Sequence, residues 1–373
     1  MKESLTIKSF GPIDELKITD ISPLTVFIGE SGSGKSTIMK VLAMFRWIYK
    51  KMNMWSYLHS SGMQKPPIEF NFGEMLVRTG MEGYLSSNTH ITYIRDGYSI
   101  VFDNGTLDTE NALIDTKDLS IDKLSFISDK RSMIPDMLST KTKEASGNFY
   151  LNETYSDFLE ASKSMEALEV PYLSVKLNRK KETTGIEYFI ENSDNSRKYS
   201  LHFEDSSSGM QNTIPMEYLL EYYTRHYDIL SAFNKALLSY AINSDSFKDF
   251  RATQNAGDIK NRNIYIHIEE PELSLYPDMQ VEFMKHLLQN CFHTGNVDNI
   301  DFFLSLTTHS PYIVNYLNLA IRQGLIRYED VDVFWVHDGF IERLNRDTEQ
   351  IIDTRILSDT IAEIYRAYNE IQV

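Results

Sequence analysis

Short apolar runs separated by polar turns predict a chain in which strands and helices alternate. Several runs are rich in branched and aromatic residues, as strands buried on both faces of a sheet are. These runs are residues 24–28, 264–268, 301–306 and 331–336. After residue 37 the apolar residues recur at helical spacing, and nothing breaks this helix before Ser60. The pattern therefore predicts an α/β fold.

The middle of the chain has a different pattern. Residues 90–102 hold two strand-like segments around Asp96-Gly97, a pair that favours the tight turn of a β-hairpin. Helical and strand-like segments then follow one another without an internal repeat. We predict that residues 60–199 form an inserted α+β lobe on a core made of residues 1–59 and 200–373.

Composition and net charge limit the classes of protein to which the chain can belong. The 373 residues carry a formal net charge of −16 and include one cysteine, Cys291. The negative balance argues against a surface that binds nucleic acid or anionic lipid broadly. A single cysteine excludes an internal disulfide, and no apolar run approaches the length of a membrane span. We expect a cytoplasmic protein with no membrane partner.

A basic cluster stands out from this acidic background. Its members are Lys176, Arg179, Lys180 and Lys181. Clustered cations suffice for phosphate contacts with nucleic acid, but a solvated hairpin tip explains the same residues. We favour the solvated tip and keep DNA as a second candidate partner.

Residues 29–37 match the pattern G-x-x-x-x-G-K-[ST] between a predicted strand and a predicted helix. In that context the pattern forms a P-loop, which binds a nucleoside triphosphate. Glycines let backbone amides surround the phosphates, and the next helix directs its positive end at the same anion. Lys35 is predicted to reach the β- and γ-phosphates, and Ser36 to bind Mg²⁺. The candidate binding residues are Gly29, Glu30, Ser31, Gly32, Ser33, Gly34, Lys35, Ser36 and Thr37.

Two carboxylates end the predicted strand at residues 264–268. An ATP-hydrolysing site needs one acid for Mg²⁺ and another to orient the attacking water. We assign Glu269 to the metal and Glu270 to general-base duty, with an acidic surface turn as the alternative. Aspartate is the usual acid on the metal side, so Glu269 is a departure from the pattern. His267 is predicted to pack in the core.

A histidine follows the next predicted strand, in Thr307-Thr308-His309-Ser310-Pro311. The carboxyl ends of parallel strands form the edge at which such sheets bind ligands. His309 is therefore a candidate catalytic residue, with a capping or core role as the alternative.

A serine-rich segment precedes a long helical pattern that begins near residue 208. Its candidate binding residues are Ser207, Ser208, Gly209 and Gln211. Serine followed by glycine is by itself only a good helix cap. With a P-loop upstream, the segment also fits an anion site at a helix N-terminus.

Together, residues 29–37, 207–211, 268–277 and 307–311 resemble the RecF/SMC-like branch of ABC-type ATPases. Glu-Glu-Pro-Glu and Thr-Thr-His-Ser-Pro are most similar to the ATPase domain of OLD-family proteins and to ATPase subunits of bacterial anti-phage systems. The resemblance implies a P-loop NTPase with an ABC-type mixed sheet core flanked by helices. It further implies that the signature segment at 207–211 grips the γ-phosphate of ATP held by a second protomer, and that His309 is the switch histidine.

This resemblance implies a homodimer, or a higher homo-oligomer, that closes around two ATPs and reopens on hydrolysis. No Asn-Lys-x-Asp sequence supports GTP, so ATP is the expected nucleotide, with Mg²⁺. One hypothesis is that the cycle gates a separate effector, such as a nuclease or a toxin. The alternative is a RecF-like DNA clamp in repair, for which salt-dependent DNA binding is the discriminating test. A third is a scaffold that hydrolyses ATP very slowly.

Two further polar positions have more than one interpretation. Arg131 follows the apolar segment 124–127 and either points into the nucleotide site or lies on the surface. Asp330-Val331-Asp332 spells the D-x-D of a Toprim nuclease site, but we predict that it is only the start of a strand.

Overall fold

A six-stranded sheet forms the centre of the computed structural model. The structure describes residues 1–63, 71–103, 105–108, 113–145, 147–183, 185–193, 199–242, 255–293 and 299–371. In spatial order the central sheet contains β15 (Phe340–Arg343), β14 (Val331–His337), β3 (Leu24–Ile28), β13 (Ile300–Thr308), β12 (Asn261–Glu269) and β7 (Ser120–Ile127). All neighbours pair in parallel except β14 and β15, so the sheet is mixed. Every residue of β3 is buried, as expected for a strand covered on both faces.

A second, antiparallel sheet lies at the N-terminal end of the chain. Its order is β2 (Ile13–Thr19), β1 (Glu3–Phe10), β4 (His90–Arg95), β5 (Tyr98–Asp103) and β6 (Thr106–Asp108). The predicted hairpin around Asp96-Gly97 is confirmed, since β4 and β5 pair across it and both turn residues have positive φ. Such φ values are what a two-residue hairpin turn requires.

A third, four-stranded antiparallel sheet and a small ribbon complete the β structure. The sheet order is β11 (Ser200–His202), β10 (Gly185–Asn192), β9 (Val175–Glu182) and β8 (Ala167–Val170). The ribbon pairs β16 (Asn345–Arg346) with β17 (Ile351–Ile352). The basic cluster of residues 176–181 lies on β9, where Lys180 pairs with Glu191 at 2.9 Å.

Helices cover the sheets. They are α1 (Lys35–Ser60), α2 (Phe72–Thr79), α3 (Ile134–Ser139), α4 (Phe149–Ala161), α5 (Ser208–Glu221), α6 (Ile229–Ile242), α7 (Pro277–Leu288), α8 (Pro311–Arg322) and α9 (Asp359–Ile371). The first helix reaches Ser60 as predicted. Most of its residues are buried, because β7, β12 and β13 pack against it together with α6. Of the helices in the described ranges, none is both long and apolar enough to cross a membrane.

The predicted lobe at residues 60–199 does not follow the sheet boundaries. Strand β7 pairs with β12 in the central sheet, and β4 pairs with β1 in the second sheet. Of the strands within residues 60–199, only β8, β9 and β10 lie in a sheet separate from these two, and β11 beyond the predicted boundary completes that sheet. The sequence pattern could not assign β7 to a sheet, because its pairing depends on contacts with residues far away in the sequence.

A fully buried charge cluster joins two of the sheets to α1. The Arg46 guanidinium of α1 donates to both carboxylate oxygens of Glu3 in β1, at 2.8 and 2.7 Å. Its Nη1 lies 3.2 Å from both Nε2 of His267 in β12 and Oγ of Ser305 in β13. His267 is fully buried, so its predicted core position is confirmed. Burial alone would raise the pKa of Glu3, but the charge and hydrogen bonds of Arg46 outweigh burial and lower it.

Replacing Glu3 with alanine should destabilise the fold by about 3–5 kcal/mol, because Arg46 would stay buried without its partner. Urea unfolding monitored by circular dichroism measures the change. The control is Glu15→Ala, which removes the exposed ion pair Lys8–Glu15 and should cost less than about 1 kcal/mol.

The lowered pKa of Glu3 makes the stability of the fold depend on pH. Stability from Glu3 is complete above its unfolded pKa, and it is lost as the pH falls through the lower folded pKa. The Glu3→Ala variant should therefore lose less stability than the wild type on acidification from pH 5. Equal losses would contradict the assignment of this pair.

Candidate functional site

The P-loop at residues 29–37 connects the carboxyl end of β3 to the first turn of α1. Glycine is required at both ends of the loop. A Cβ atom at Gly29 would lie 2.3 Å from the carbonyl oxygen of Val336, and one at Gly34 would lie 2.5 Å from Cδ1 of Ile13. Gly34 also has a φ of 105°, which L side chains rarely adopt. The loop thus fits closely against β14 and the start of β2.

The N-terminus of α1 carries backbone amides that the helix itself does not pair. Gly34 is the N-cap residue and provides no side-chain cap, and the first turn contains no acidic residue. The first amides of a helix have no partner within the helix. Together with the helix dipole, they attract an anion to this end.

Lys35 lies folded over the loop rather than extended into solvent. Its ammonium donates to the carbonyl oxygens of Gly29 at 2.9 Å and Glu30 at 2.7 Å. Burial lowers the pKa of Lys35, while the nearby Glu270 and Glu272 oppose that change. The Lys35 ammonium is therefore held on the inner side of the curved loop.

The other P-loop members differ in exposure. Glu30, Ser31 and Gly32 are exposed, Ser36 is half-buried and Thr37 is buried. The Ser33 hydroxyl is buried, and it has no hydrogen-bond partner in the described part of the chain.

Glu269 ends β12 beside the start of α1. One carboxylate oxygen lies 2.9 Å from the Lys40 ammonium, and the Ser36 hydroxyl is near enough to the carboxylate to affect its pKa. Burial raises the pKa of Glu269, whereas Lys40 and Ser36 oppose that rise. The two residues predicted to bind metal are thus adjacent, and Lys40 is a further partner that sequence reasoning missed.

Glu270 has a left-handed backbone, with φ of 44°. Its amide donates to the carbonyl oxygen of Thr307 in β13 at 2.9 Å. Its carboxylate Oε1 lies 3.4 Å from Nε2 of His309. Parallel pairing of β12 with β13 brings these strand ends together. The structure therefore places the predicted base beside the predicted switch histidine.

Glu272 is a third acid at this edge, and sequence reasoning gave it no role. Its Oε1 accepts the His309 amide at 2.6 Å, while its Oε2 is buried with no partner among the described residues. Burial raises the pKa of Glu272, and the His309 amide opposes that rise. The carboxylate fixes the backbone that carries His309. Its place in Glu-Glu-Pro-Glu is the signal that could have identified it.

The serine-rich segment caps α5, as its sequence predicts. The Ser207 hydroxyl accepts the Met210 amide at 3.4 Å, and the Gln211 side chain donates to the Glu204 carbonyl oxygen at 2.7 Å. Ser207 and Ser208 are exposed, and Gly209 packs close to Ser274. Within the described residues, no hydrogen bond or ion pair joins this segment to the P-loop of the same chain.

Arg131 does not lie on the surface, so that interpretation of its sequence context is wrong, whereas a role toward the nucleotide stays a prediction. The side chain is fully buried. It donates to the backbone carbonyls of Glu269, Glu270 and Asn212 at 2.6, 2.7 and 2.9 Å. No local sequence pattern identifies an arginine that binds carbonyls of distant segments. Asp332 also has a structural role, in β14, where it pairs with Arg343 at 2.6 Å.

Five parallel strands of a mixed sheet, with a P-loop and an acidic strand end at one edge, define an ATPase of the P-loop class. Residues 1–208 match the family model described as AAA ATPase domain. The chain belongs to this family. The match confirms the predicted class of ATPase, and the matched range includes the predicted lobe.

Solved structures resemble the chain over most of its length at low identity. The SMC head domain from Thermotoga maritima is 12% identical, with a TM-score of 0.35, and the likeness covers 92% of this chain and 97% of that one. The recombination mediator protein RecF is 11% identical, with a TM-score of 0.39 and coverage of 92% and 98%. A nucleotide-free ATP-binding cassette from an ABC transporter is 13% identical, with a TM-score of 0.36 and coverage of 91% and 90%. No curated protein matches the chain.

The close packing around Gly34 predicts that alanine variants at Gly34 and Gly32 differ in stability. Gly34→Ala should destabilise the protein by about 1–3 kcal/mol more than Gly32→Ala in urea unfolding. Both positions have positive φ. An alanine at either one would therefore carry the strain of a left-handed backbone, about 1–2 kcal/mol. Only at Gly34 would the new methyl group collide with Ile13, since a Cβ at Gly32 meets nothing within 4 Å. Equal losses for the two variants would show that the loop is not packed against β2.

Proposed function

We propose that this AAA-family ATPase is a Mg²⁺-dependent enzyme that binds and hydrolyses ATP in a site shared between two copies of the chain. One observation carries the proposal. Three separate segments, which carry Lys35 with Ser36, Glu269 with Glu270, and His309, meet at one edge of the central sheet. Each has the chemistry that one part of phosphoryl transfer requires.

The P-loop supplies the phosphate site. Backbone amides at the start of α1 would donate to the β- and γ-phosphate oxygens. Lys35 now donates to the carbonyls of Gly29 and Glu30. These contacts hold its ammonium inside the loop, from which it would transfer its hydrogen bonds to phosphate.

Ser36 and Glu269 fit a magnesium ion. Mg²⁺ prefers hard oxygen ligands and keeps most of its waters, so one hydroxyl and one carboxylate suffice beside the nucleotide phosphates. The Ser36 hydroxyl is near enough to the Glu269 carboxylate to oppose the rise in its pKa. Bound there, the ion would neutralise charge that develops on the transferring phosphoryl group. Lys40 holds the same carboxylate at 2.9 Å and would orient it.

Glu270 is proposed to activate the attacking water. Its carboxylate is partly exposed at the sheet edge, 3.4 Å from His309, so a water could reach it. It would accept the proton as the water oxygen bonds to the γ-phosphorus and the bond to ADP breaks. His309 would donate to the γ-phosphate oxygens, with its backbone fixed by Glu272.

The proposed dimer follows from where the signature segment lies. Ser208 and Gly209 are at a helix N-terminus that no described contact joins to the P-loop of the same chain. Such an end is suited to bind an anion, which here would be the γ-phosphate held by the partner copy. Two ATPs would thus be sandwiched between two protomers, and hydrolysis would separate them.

The biological role is proposed from the resemblance to the OLD-family ATPase domain and to anti-phage ATPase subunits. The open and closed states would gate a separate effector protein, a nuclease or a toxin. Affinity purification of the tagged chain with and without ATP tests this role. A stoichiometric partner whose nuclease or toxin activity depends on the nucleotide state would support it. A chain that binds duplex DNA in a salt-dependent manner, with no such partner, would favour the DNA-clamp alternative.

Lys35→Ala should reduce ATP turnover at least about 100-fold, because the amides alone cannot balance the charge of the β- and γ-phosphates. A phosphate-release assay with Mg²⁺ measures turnover. The control is Lys8→Ala, an exposed lysine in β1, which should retain full activity. Unchanged turnover in Lys35→Ala would refute the P-loop assignment.

Glu270→Gln should trap an ATP-bound dimer, because the amide cannot accept the proton of the attacking water although phosphate binding is intact. Sizing chromatography with ATP and Mg²⁺ should show a species of twice the 43.2 kDa chain mass. Glu282→Gln, an exposed acid on α7, is the matched control and should behave as the wild type. A Glu270→Gln variant that binds ATP but stays monomeric would exclude the shared site while leaving ATP binding intact.

A further inference from the structure

Arg131 connects three segments that are far apart in the sequence. It lies just after β7, and its Nη1 donates to the Glu269 carbonyl oxygen at 2.6 Å. Its Nη2 donates to the Glu270 carbonyl oxygen at 2.7 Å, and its Nε to that of Asn212 in α5 at 2.9 Å. A fourth bond, from Nη1 to the Ser128 carbonyl oxygen at 3.1 Å, fixes the guanidinium to its own segment. One side chain therefore holds the acidic strand end and the signature helix together.

The chemistry of this contact requires a guanidinium. Burial lowers the pKa of Arg131 to about 10, against the opposing charges of four nearby acids, so the group remains a cation at neutral pH. Within the described chain it makes no ion pair, and carbonyl dipoles solvate its charge instead. A lysine carries three donors on a single nitrogen and cannot span carbonyls that lie on different sides of a planar fork.

The Glu270 backbone is held from both sides. Its amide donates to the Thr307 carbonyl oxygen, and its own carbonyl accepts from Arg131. A left-handed backbone at a non-glycine residue persists where its surroundings enforce it. This conformation directs the Glu270 carboxylate to His309. Arg131 thus helps to fix the side chain that is proposed to activate water.

The other end of the contact is the first turn of α5. Pro215 has no amide hydrogen, so the helix lacks the bond that this position would make to the Gln211 carbonyl. The Asn212 side chain donates to the Ser208 carbonyl oxygen at 2.9 Å and to Oγ of Ser274 at 3.4 Å. The start of α5 is therefore also held from outside the helix, by Arg131 and by the loop after Glu270.

We infer that Arg131 is a positioning residue that couples the signature helix α5 to the backbone conformation of Glu270. The expected effect on ATP hydrolysis rests on the proposed function. The coupling between α5 and Glu270 is inferred for the protein without nucleotide. When a partner's γ-phosphate engages Ser208 and Gly209, the first turn of α5 moves with Asn212, and Arg131 transmits the movement to Glu270. Hydrolysis then depends on correct docking of the two copies.

The first test compares Arg131→Lys with Arg95→Lys. Arg95 is also a fully buried arginine, paired with Asp122 at 2.7 Å in a different part of the protein. Arg131→Lys should lower kcat about 10- to 100-fold while the Kd for a fluorescent ATP analogue stays within about threefold. Arg95→Lys should lower the thermal midpoint without lowering kcat at temperatures where it remains folded.

Two kinetic outcomes would overturn the inference. One is a folded Arg131→Lys variant with wild-type kcat. The other is a variant whose ATP affinity and kcat fall together and in proportion to its loss of thermal stability, as a purely structural arginine would give.

The second test needs neither ATP hydrolysis nor dimerisation. Hydrogen–deuterium exchange of the nucleotide-free protein should show faster exchange in Arg131→Lys, in peptides covering residues 208–216 and 269–273 together. Arg95→Lys should leave both peptides unchanged. Exchange that rises in only one of the two would overturn the coupling, even if the wild type proved inactive and the proposed function failed.

Should Arg131→Lys not fold, exchange in the wild type gives the answer. Peptides 127–133, 208–216 and 269–273 should gain protection at the same concentration of the non-hydrolysable analogue AMPPNP. Protection of 208–216 alone would contradict the inference.

Discussion

The buried pair of Glu3 and Arg46 is the contact on which the arrangement of the layers depends. A charge this deep is tolerated only when it is paired and fully hydrogen-bonded. Arg46 meets that condition only with Glu3 from the antiparallel sheet and with His267 and Ser305 from two central strands. Helix α1 therefore has one acceptable position and rotation between the two sheets.

That rotation determines the chemistry at the other end of α1. Ser36 and Lys40 are four residues apart and so lie on one face of the helix. With Arg46 directed at the strands, this face meets the carboxyl end of β12, where both side chains contact Glu269. A shift of the helix by one residue would remove both contacts. The structural pair and the candidate metal site thus depend on the same orientation.

Sequence motifs predicted the parts of this site that are local. A P-loop is recognisable because its glycines, lysine and hydroxyl serve one short loop, and the acidic and histidine segments each follow a buried strand. The central strands were predictable for the same reason, since continuous apolar runs indicate burial on both faces. Membership of the AAA ATPase domain family over residues 1–208 confirms the predicted class of ATPase, and the strand pairings of the structure confirm the central strands.

Contacts between distant segments were not predictable. Strand β7 joins the central sheet beside β12, although the chain around it resembles an insertion. Lys40 and Arg131 have no motif, because their partners are a carboxylate and backbone carbonyls supplied by segments more than 80 residues away in the sequence. A pattern within one segment cannot encode such a partner.

The left-handed conformation of Glu270 shows why these distant contacts matter for function. This backbone conformation costs about 1–3 kcal/mol. A carboxylate does not require it in order to accept a proton. The cost is offset by bonds to Thr307 on one side and Arg131 on the other. Because Arg131 also holds α5, we expect a movement of this helix to reach the Glu270 backbone. An acid on a relaxed strand end would keep its orientation if the helix moved, whereas Glu270 is proposed to respond to the helix that the partner's nucleotide would engage.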